Sequence, residues 1–212
     1  MTGAREEILD AVRAATAGHR RDSAAVPRAY LRHAPGLDPA DRGAVLARFT
    51  ARLEEYGATV RPTTPDRLPS VLARALPRGR VVVPAGFPGP WLRDWDGEAV
   101  ADEPPLTHAE LDRLDAVLTT CSAAVADSGT LVLDAGPGQG RRAATLLPDL
   151  HVCVVAADQV VSSLPEVMPL ADPRRPLTWI SGPSATADIE MVRVQGVHGP
   201  RRLTVVLVAG GP

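Results

Sequence analysis

The 212-residue chain is 45% apolar and 3% aromatic, with 23 basic and 25 acidic residues and a formal net charge of −2. That suffices for one α/β domain with a Leu, Val and Ala core, and leaves no charge excess to favour nucleic acid or an anionic membrane. All the basic residues are arginine, which excludes Schiff-base catalysis, lysine-anchored pyridoxal phosphate and a P-loop lysine, and the only cysteines, Cys121 and Cys153, exclude a disulfide framework or cysteine-rich cluster.

Along the chain, Ile8, Leu9, Val12 and Ala15 recur at helical spacing and predict an amphipathic helix over residues 5–15, with Glu6 and Glu7 early where the helix dipole favours acids. Residues 18–39 mix Arg, Ser, Pro and Gly and read as an extended arm. Residues 1–40 are thus a helix and arm attached to a single domain spanning 1–212. Asp38 as N-cap and Pro39 at the first position predict a second helix that carries Val45, Leu46, Phe49 and Leu53 on one face and stops at Gly57. A strand at 58–61, a helix at 66–76 and a buried strand at 81–83 follow, then an irregular stretch from 86 to 105 with a short segment around Trp91 and Trp95. Beyond it are expected a short helix at 108–111, strands at 116–118, 123–126 and 130–133, a helix at 141–147, a strand at 151–155, a helix at 159–168, and strands at 177–180 and 203–208.

The runs V-C-V-V and T-V-V-L-V lack alternation, as strands covered on both faces require, so the fold expected is a three-layer α/β arrangement around a mostly parallel sheet. In such sheets ligands gather beyond the carboxyl ends of the strands. No apolar run approaches membrane-spanning length, and a cytoplasmic location is expected.

Three loops offer chemistry. In A-D-S-G-T, Asp127 offers a base or an anion, Ser128 and Thr130 are hydroxyl donors, and Gly129 permits a positive φ; a hairpin turn is the competing reading. In D-A-G-P-G-Q-G-R-R, from Asp134 to Arg142, exposed amides and two arginines would attract an anion. Its glycines follow G-x-G-x-G, not the dinucleotide pattern, and a plain tight turn explains it equally well. The third is S-G-P-S-A-T-A-D-I-E, with Gly182, Ser184, Thr186, Asp188 and Glu190, followed by G-V-H-G-P, with His198 and Gly199. Ser184 and Asp188 read alternatively as helix caps, and His198 as a turn residue. Because each loop follows or flanks a predicted strand, Asp127 to Thr130, Ser184 to Asp188 and His198 are expected to share one pocket at one end of the sheet, with Asp127 and His198 as catalytic groups and the others as ligand contacts.

S-G-P-S-A-T-A-D-I-E and G-V-H-G-P, taken with D-S-G-T-L-V-L and V-V-A-A-D-Q-V-V, resemble the signature of the LUD-domain family, within it the lactate-utilisation C subgroup of stand-alone LUD domains. The resemblance implies a fold similar to the CoA-transferase, ribose-phosphate isomerase and glucosamine-phosphate deaminase group. It also implies participation in the oxidation of L-lactate to pyruvate beside two iron–sulfur partner proteins. Asp127 stands where many relatives carry Glu in an E-T-G-T pattern, one carbon longer, which weakens the case for a nucleophilic carboxylate of the CoA-transferase kind. The chain offers no cluster-forming cysteines, no dinucleotide fingerprint and no metal-ligand histidine pair. No cofactor or metal is therefore expected. The reading that follows is an accessory subunit that binds a small carboxylate or other anion; the alternative is an independent CoA-transferase-like or sugar-phosphate-isomerase-like enzyme.

Overall fold

A computed structural model describes residues 3–17, 31–183, 185–187, 193–195 and 199–210. The chain divides into two compact units, Met1–Leu31 and Arg32–Pro212. The first holds α1 (Gly3–Thr16), which has Glu6 in its first turn and an Asp10–Arg13 ion pair one turn apart on its surface.

The second unit begins with a turn in which Asp38 accepts from the amide of Ala40, and α2 (Arg42–Glu55) follows it. The helix therefore starts later than Asp38 and Pro39 predict. Asp41 is the cap, its carboxylate accepting from the Ala44 amide at 2.9 Å, while Pro39 stays in the preceding turn. Val45, Phe49 and Leu53 are fully buried. The helix closes, as expected, at Gly57, whose φ of +85° is costly for any other residue.

The remaining elements, in chain order, are β1 (Thr59–Thr63), α3 (Leu68–Ala75), β2 (Arg80–Val82), β3 (Glu98–Val100), α4 (His108–Leu111), β4 (Ala116–Thr120), β5 (Ala123–Val125), β6 (Thr130–Leu133), α5 (Arg142–Leu146), β7 (Leu150–Ala156), β8 (Val160–Val161), α6 (Leu164–Val167), β9 (Thr178–Ser181), β10 (Ala185–Ala187), β11 (Arg193–Gln195) and β12 (Arg202–Val208). Six strands form the central sheet, in the order β1-β12-β7-β4-β2-β3, and every pairing in it is parallel. On one face Leu118, Val152, Val154, Val206 and Val208 pack against Leu68 and Leu72 of α3. On the other, Cys153, Val155, Leu203 and Val205 meet α2 and the residues Ala124, Leu131 and Leu133. These are the three layers that the unbroken apolar runs predict, and each fully buried Leu or Phe contributes about 1.5–3 kcal/mol.

The hairpin reading of the D-S-G turn holds: β5 and β6 are an antiparallel hairpin in a separate four-stranded sheet of order β8-β5-β6-β9. One expectation is corrected. The helix expected over 159–168 is broken into a 3-10 turn (Ala157–Gln159), β8 and α6. Val160 and Val161 are β-branched and pair with Ala124 and Val125, and Pro165 is tolerated only in the first turn of a new helix. Strand β3, absent from the expectations, adds an edge beside β2.

Candidate functional site

The carboxyl ends of β2, β4, β7 and β12 open into a cavity of about 590 Å³, floored by Val154 and Val208 and walled by Leu68 of α3, Trp91, Pro65 and Pro88. Two loops are drawn tightly together to make its far wall. Gly138, at φ +73°, donates its amide to the Ala85 carbonyl at 2.8 Å and accepts from the Thr120 amide at 2.8 Å. A Cβ on Gly138 would stand 2.9 Å from Thr120 Oγ1, and one on Gly86 only 2.7 Å from Pro137 Cβ, so the glycines permit an approach that side chains would block.

This wall is the glycine-rich loop of the sequence, and its polar groups are largely committed. Gly136 donates to Asp134, Asp134 pairs with Arg175 at 2.7 Å, and Arg141 grips the buried carboxylate of Asp102 through two bonds of 2.6 and 3.0 Å. The loop acts as a packed turn. Gln139 is the exception: it is almost buried, its Oε1 accepts from the Asp134 amide at 2.6 Å, and its Nε2 makes no hydrogen bond among the described residues. Because a backbone N–H sits on one end of the amide, that end must be oxygen, and the other end, close to Gly136, is the donor. Gln159 instead ties β4 to β7, donating to the Cys121 carbonyl at 2.9 Å and accepting from the Ala156 amide at 3.0 Å. Asp158, exposed at the rim, is the only charged side chain among the described lining residues.

The hairpin residues lie elsewhere. Ser128 and Thr130 share a 2.7 Å hydrogen bond, and Thr130 shares another of 2.7 Å with Ser181 of β9. Gly129 (φ +59°) and Gly182 (φ +85°) both pack on the last turn of α2; a Cβ would stand 2.9 Å from Arg52 Cβ in the first case and 2.5 Å from Tyr56 Cβ in the second. Asp127 is half exposed, its carboxylate 3.6 Å from Arg48 and its carbonyl accepting from Arg52 at 3.1 Å. A second cavity, of about 430 Å³, is lined by Ser181, Gly182 and Gly199 together with Arg142 and Thr145, and Arg142 has no ion-pair partner among the described residues. The hydroxyl chain from Ser128 through Thr130 thus ends on a cavity shared by Gly182 and Gly199. Asp127 is not one of its lining residues. Thr186 lies in β10, paired with Val194, and Ser184, Asp188, Glu190 and His198 fall outside the described residues.

A family model of the LUD domain matches residues 4–208. The chain belongs to the LUD-domain family. This LUD domain is 46% identical, over 210 residues, to a Deinococcus radiodurans protein named lactate utilization protein C, covering 97% of the chain and 95% of that relative. A protein of the same name from an Exiguobacterium species is 35% identical over 122 residues, 54% of this chain and 51% of the relative. Among solved structures, the crystal structure of a DUF162 family protein from Deinococcus radiodurans superposes with a TM-score of 0.67 at 44% identity, covering 80% of this chain and 98% of that one.

Cys121, in the lining of the first cavity, donates to Gln159 Oε1 at 3.7 Å; the neighbouring Cys153 thiol and burial hold its pKa well above the usual thiol range, so it is not a thiolate at neutral pH. Among the described residues no group of three or more His, Cys, Asp or Glu side chains is placed to hold a metal ion, and no helix is long and apolar enough to cross a membrane. The two cavities differ in character: the first is apolar with an acid at its rim, the second polar with an arginine. Sequence reasoning missed Trp91, Thr120 and Gln139 as site residues. Thr120 stands just past the strand expected at 116–118 and Gln139 lies within the glycine-rich loop, so both are legible in principle; Trp91 carries no such signal.

Proposed function

We propose that this LUD domain is an accessory, ligand-binding subunit of an L-lactate utilisation system, acting in the cytoplasm beside iron–sulfur partner proteins that carry out the oxidation of lactate to pyruvate. The observation that carries this reading is the 46% identity, over nearly the whole length of both chains, to a protein named lactate utilization protein C. Residue chemistry supports the accessory role. Lactate oxidation releases two electrons, and a chain with two cysteines has too few thiolates for an all-cysteine cluster.

The ligand in this reading is a small carboxylate held in the cavity of Arg142, Ser181, Gly182 and Gly199. A guanidinium with no ion-pair partner among the described residues, a serine hydroxyl and close backbone access at two glycines suit an anion of that size. Asp127, outside the cavity lining, and His198, preceding Gly199 in sequence, are the groups this reading assigns to proton transfer, the acid acting through the Ser128–Thr130–Ser181 hydroxyl chain it flanks. Deleting the gene is expected to abolish growth on L-lactate and spare growth on pyruvate, and complementation with Arg142→Ala to restore it only in part. Normal growth of the deletion strain on lactate would overturn the assignment.

A further inference from the structure

The cavity at the carboxyl ends of the central sheet is a poor home for the carboxylate just assigned to the other one. Its described lining contains no basic residue and has one carboxylate, Asp158, at the rim. An anion entering it would shed water without gaining a counter-charge. The walls are instead largely apolar: Trp91, held edge-on by Phe87 at 5.5 Å, shares the lining with Leu68, Val154 and Val208. Its volume of about 590 Å³ suits a ligand of one to three fused rings. The lining also offers two polar side chains, Gln139 and Thr120. Gln139, nearly buried, keeps Nε2 as a donor with no partner among the described residues, and Thr120 donates its proton to the Pro137 carbonyl at 3.3 Å, which leaves its oxygen to accept.

We propose that this cavity binds an uncharged planar heteroaromatic ring that presents an amide-type edge, a carbonyl beside an N–H. The ring lies between Trp91 and the valines, its carbonyl accepts from Gln139 Nε2, and its N–H donates to Thr120 Oγ1 or to the Asp158 carboxylate. A ring that takes this donor out of water without accepting from it loses more than it gains, so a ring without an acceptor is discriminated against. The proposal is independent of the lactate reading, because it concerns other residues and another ligand.

Isothermal titration of the full chain with lumichrome and with nicotinamide tests it, with 2,3-dimethyl-1,4-naphthoquinone, which lacks an N–H, and pyruvate as contrasts. At least one of the two amide-edged rings is expected to bind with a stoichiometry of one, and affinity to fall about tenfold or more in Gln139→Glu, where the shape and the Oε1 bond persist but the donor is gone. Val154→Phe, which fills the floor, is expected to abolish binding in a variant whose circular dichroism and melting remain native-like. Binding of lumichrome alone or of nicotinamide alone supports the proposal and sizes the ring. Absence of binding by both, equal affinity for the naphthoquinone, displacement by pyruvate, or affinity unchanged in Gln139→Glu would each overturn it. The growth phenotype of the deletion strain would be unaffected by that failure.

Discussion

His151, near the start of β7, is fully buried, with Nε2 2.7 Å from Thr119 Oγ1 and Nδ1 without a hydrogen-bond partner among the described residues. Burial disfavours its charged form and lowers its pKa from the ordinary 6.5 to about 4. The folded state therefore resists a proton that the unfolded chain accepts. Stability is unaffected by this residue above about pH 6.5, falls as the pH drops from there to about 4, and loses about 3 kcal/mol over that window. Urea denaturation at a series of pH values should show this slope in the wild type, and a shallower one in His151→Gln, where nothing titrates at that position. An identical slope in both proteins would mean that other groups carry the acid sensitivity.

Helix α2 shows how elements constrain one another. The D-S-G-T turn and the start of the S-G-P segment each bring a glycine of positive φ against its last turn, so the hairpin β5–β6 and the end of β9 are seated on the helix by the absence of two side chains. Gly129→Ala adds a Cβ that meets helix backbone, and is expected to cost about 1–3 kcal/mol. Gly36→Ala has a similar φ of +73° but open space around it, so only the dihedral penalty applies and the loss should be about 1 kcal/mol. Thermal or chemical unfolding of the two variants measures the difference. The turn character of D-S-G-T was legible in the sequence, as were the amphipathic face of α2 and its stop at Gly57. Its start was not, because Asp38 and Asp41 are equivalent as caps on paper and only the preceding turn decides between them. The stretch from 157 to 168 misled for a related reason: helical spacing of its apolar residues concealed two valines whose strand pairing is with residues far away in the chain. The hydroxyl chain linking Ser128, Thr130 and Ser181 likewise depends on the β6–β9 pairing, which no local pattern announces.

At the scale of the whole second unit, the parallel sheet was readable from its apolar runs, whereas the cavity at its ends was not, because its lining comes from separate segments that are individually unremarkable. What keeps those segments in place is partly electrostatic. Asp102, after β3, receives two hydrogen bonds from Arg141, which raise the arginine pKa, and one from the Leu106 amide. This clip fixes the glycine-rich loop from the side opposite the cavity. Asp102→Ala leaves a half-buried guanidinium unpaired and is expected to lower stability by about 1–3 kcal/mol, less than a fully buried pair would cost, with a falling melting temperature as the readout. The order of the sheet carries a further consequence. Strand β12 lies between β1 and β7, pairing Thr59 with Thr204 and Cys153 with Val205, so an interior strand of the sheet is synthesised after every other strand of that sheet. Until residues 202–208 leave the ribosome, β1 has no partner and β7 exposes an open edge rich in valine. The nascent chain passes through a stage at which it is prone to strand-to-strand aggregation and is a natural client for chaperones, and closure of the core waits on a contact between distant parts of the chain, which makes folding slow.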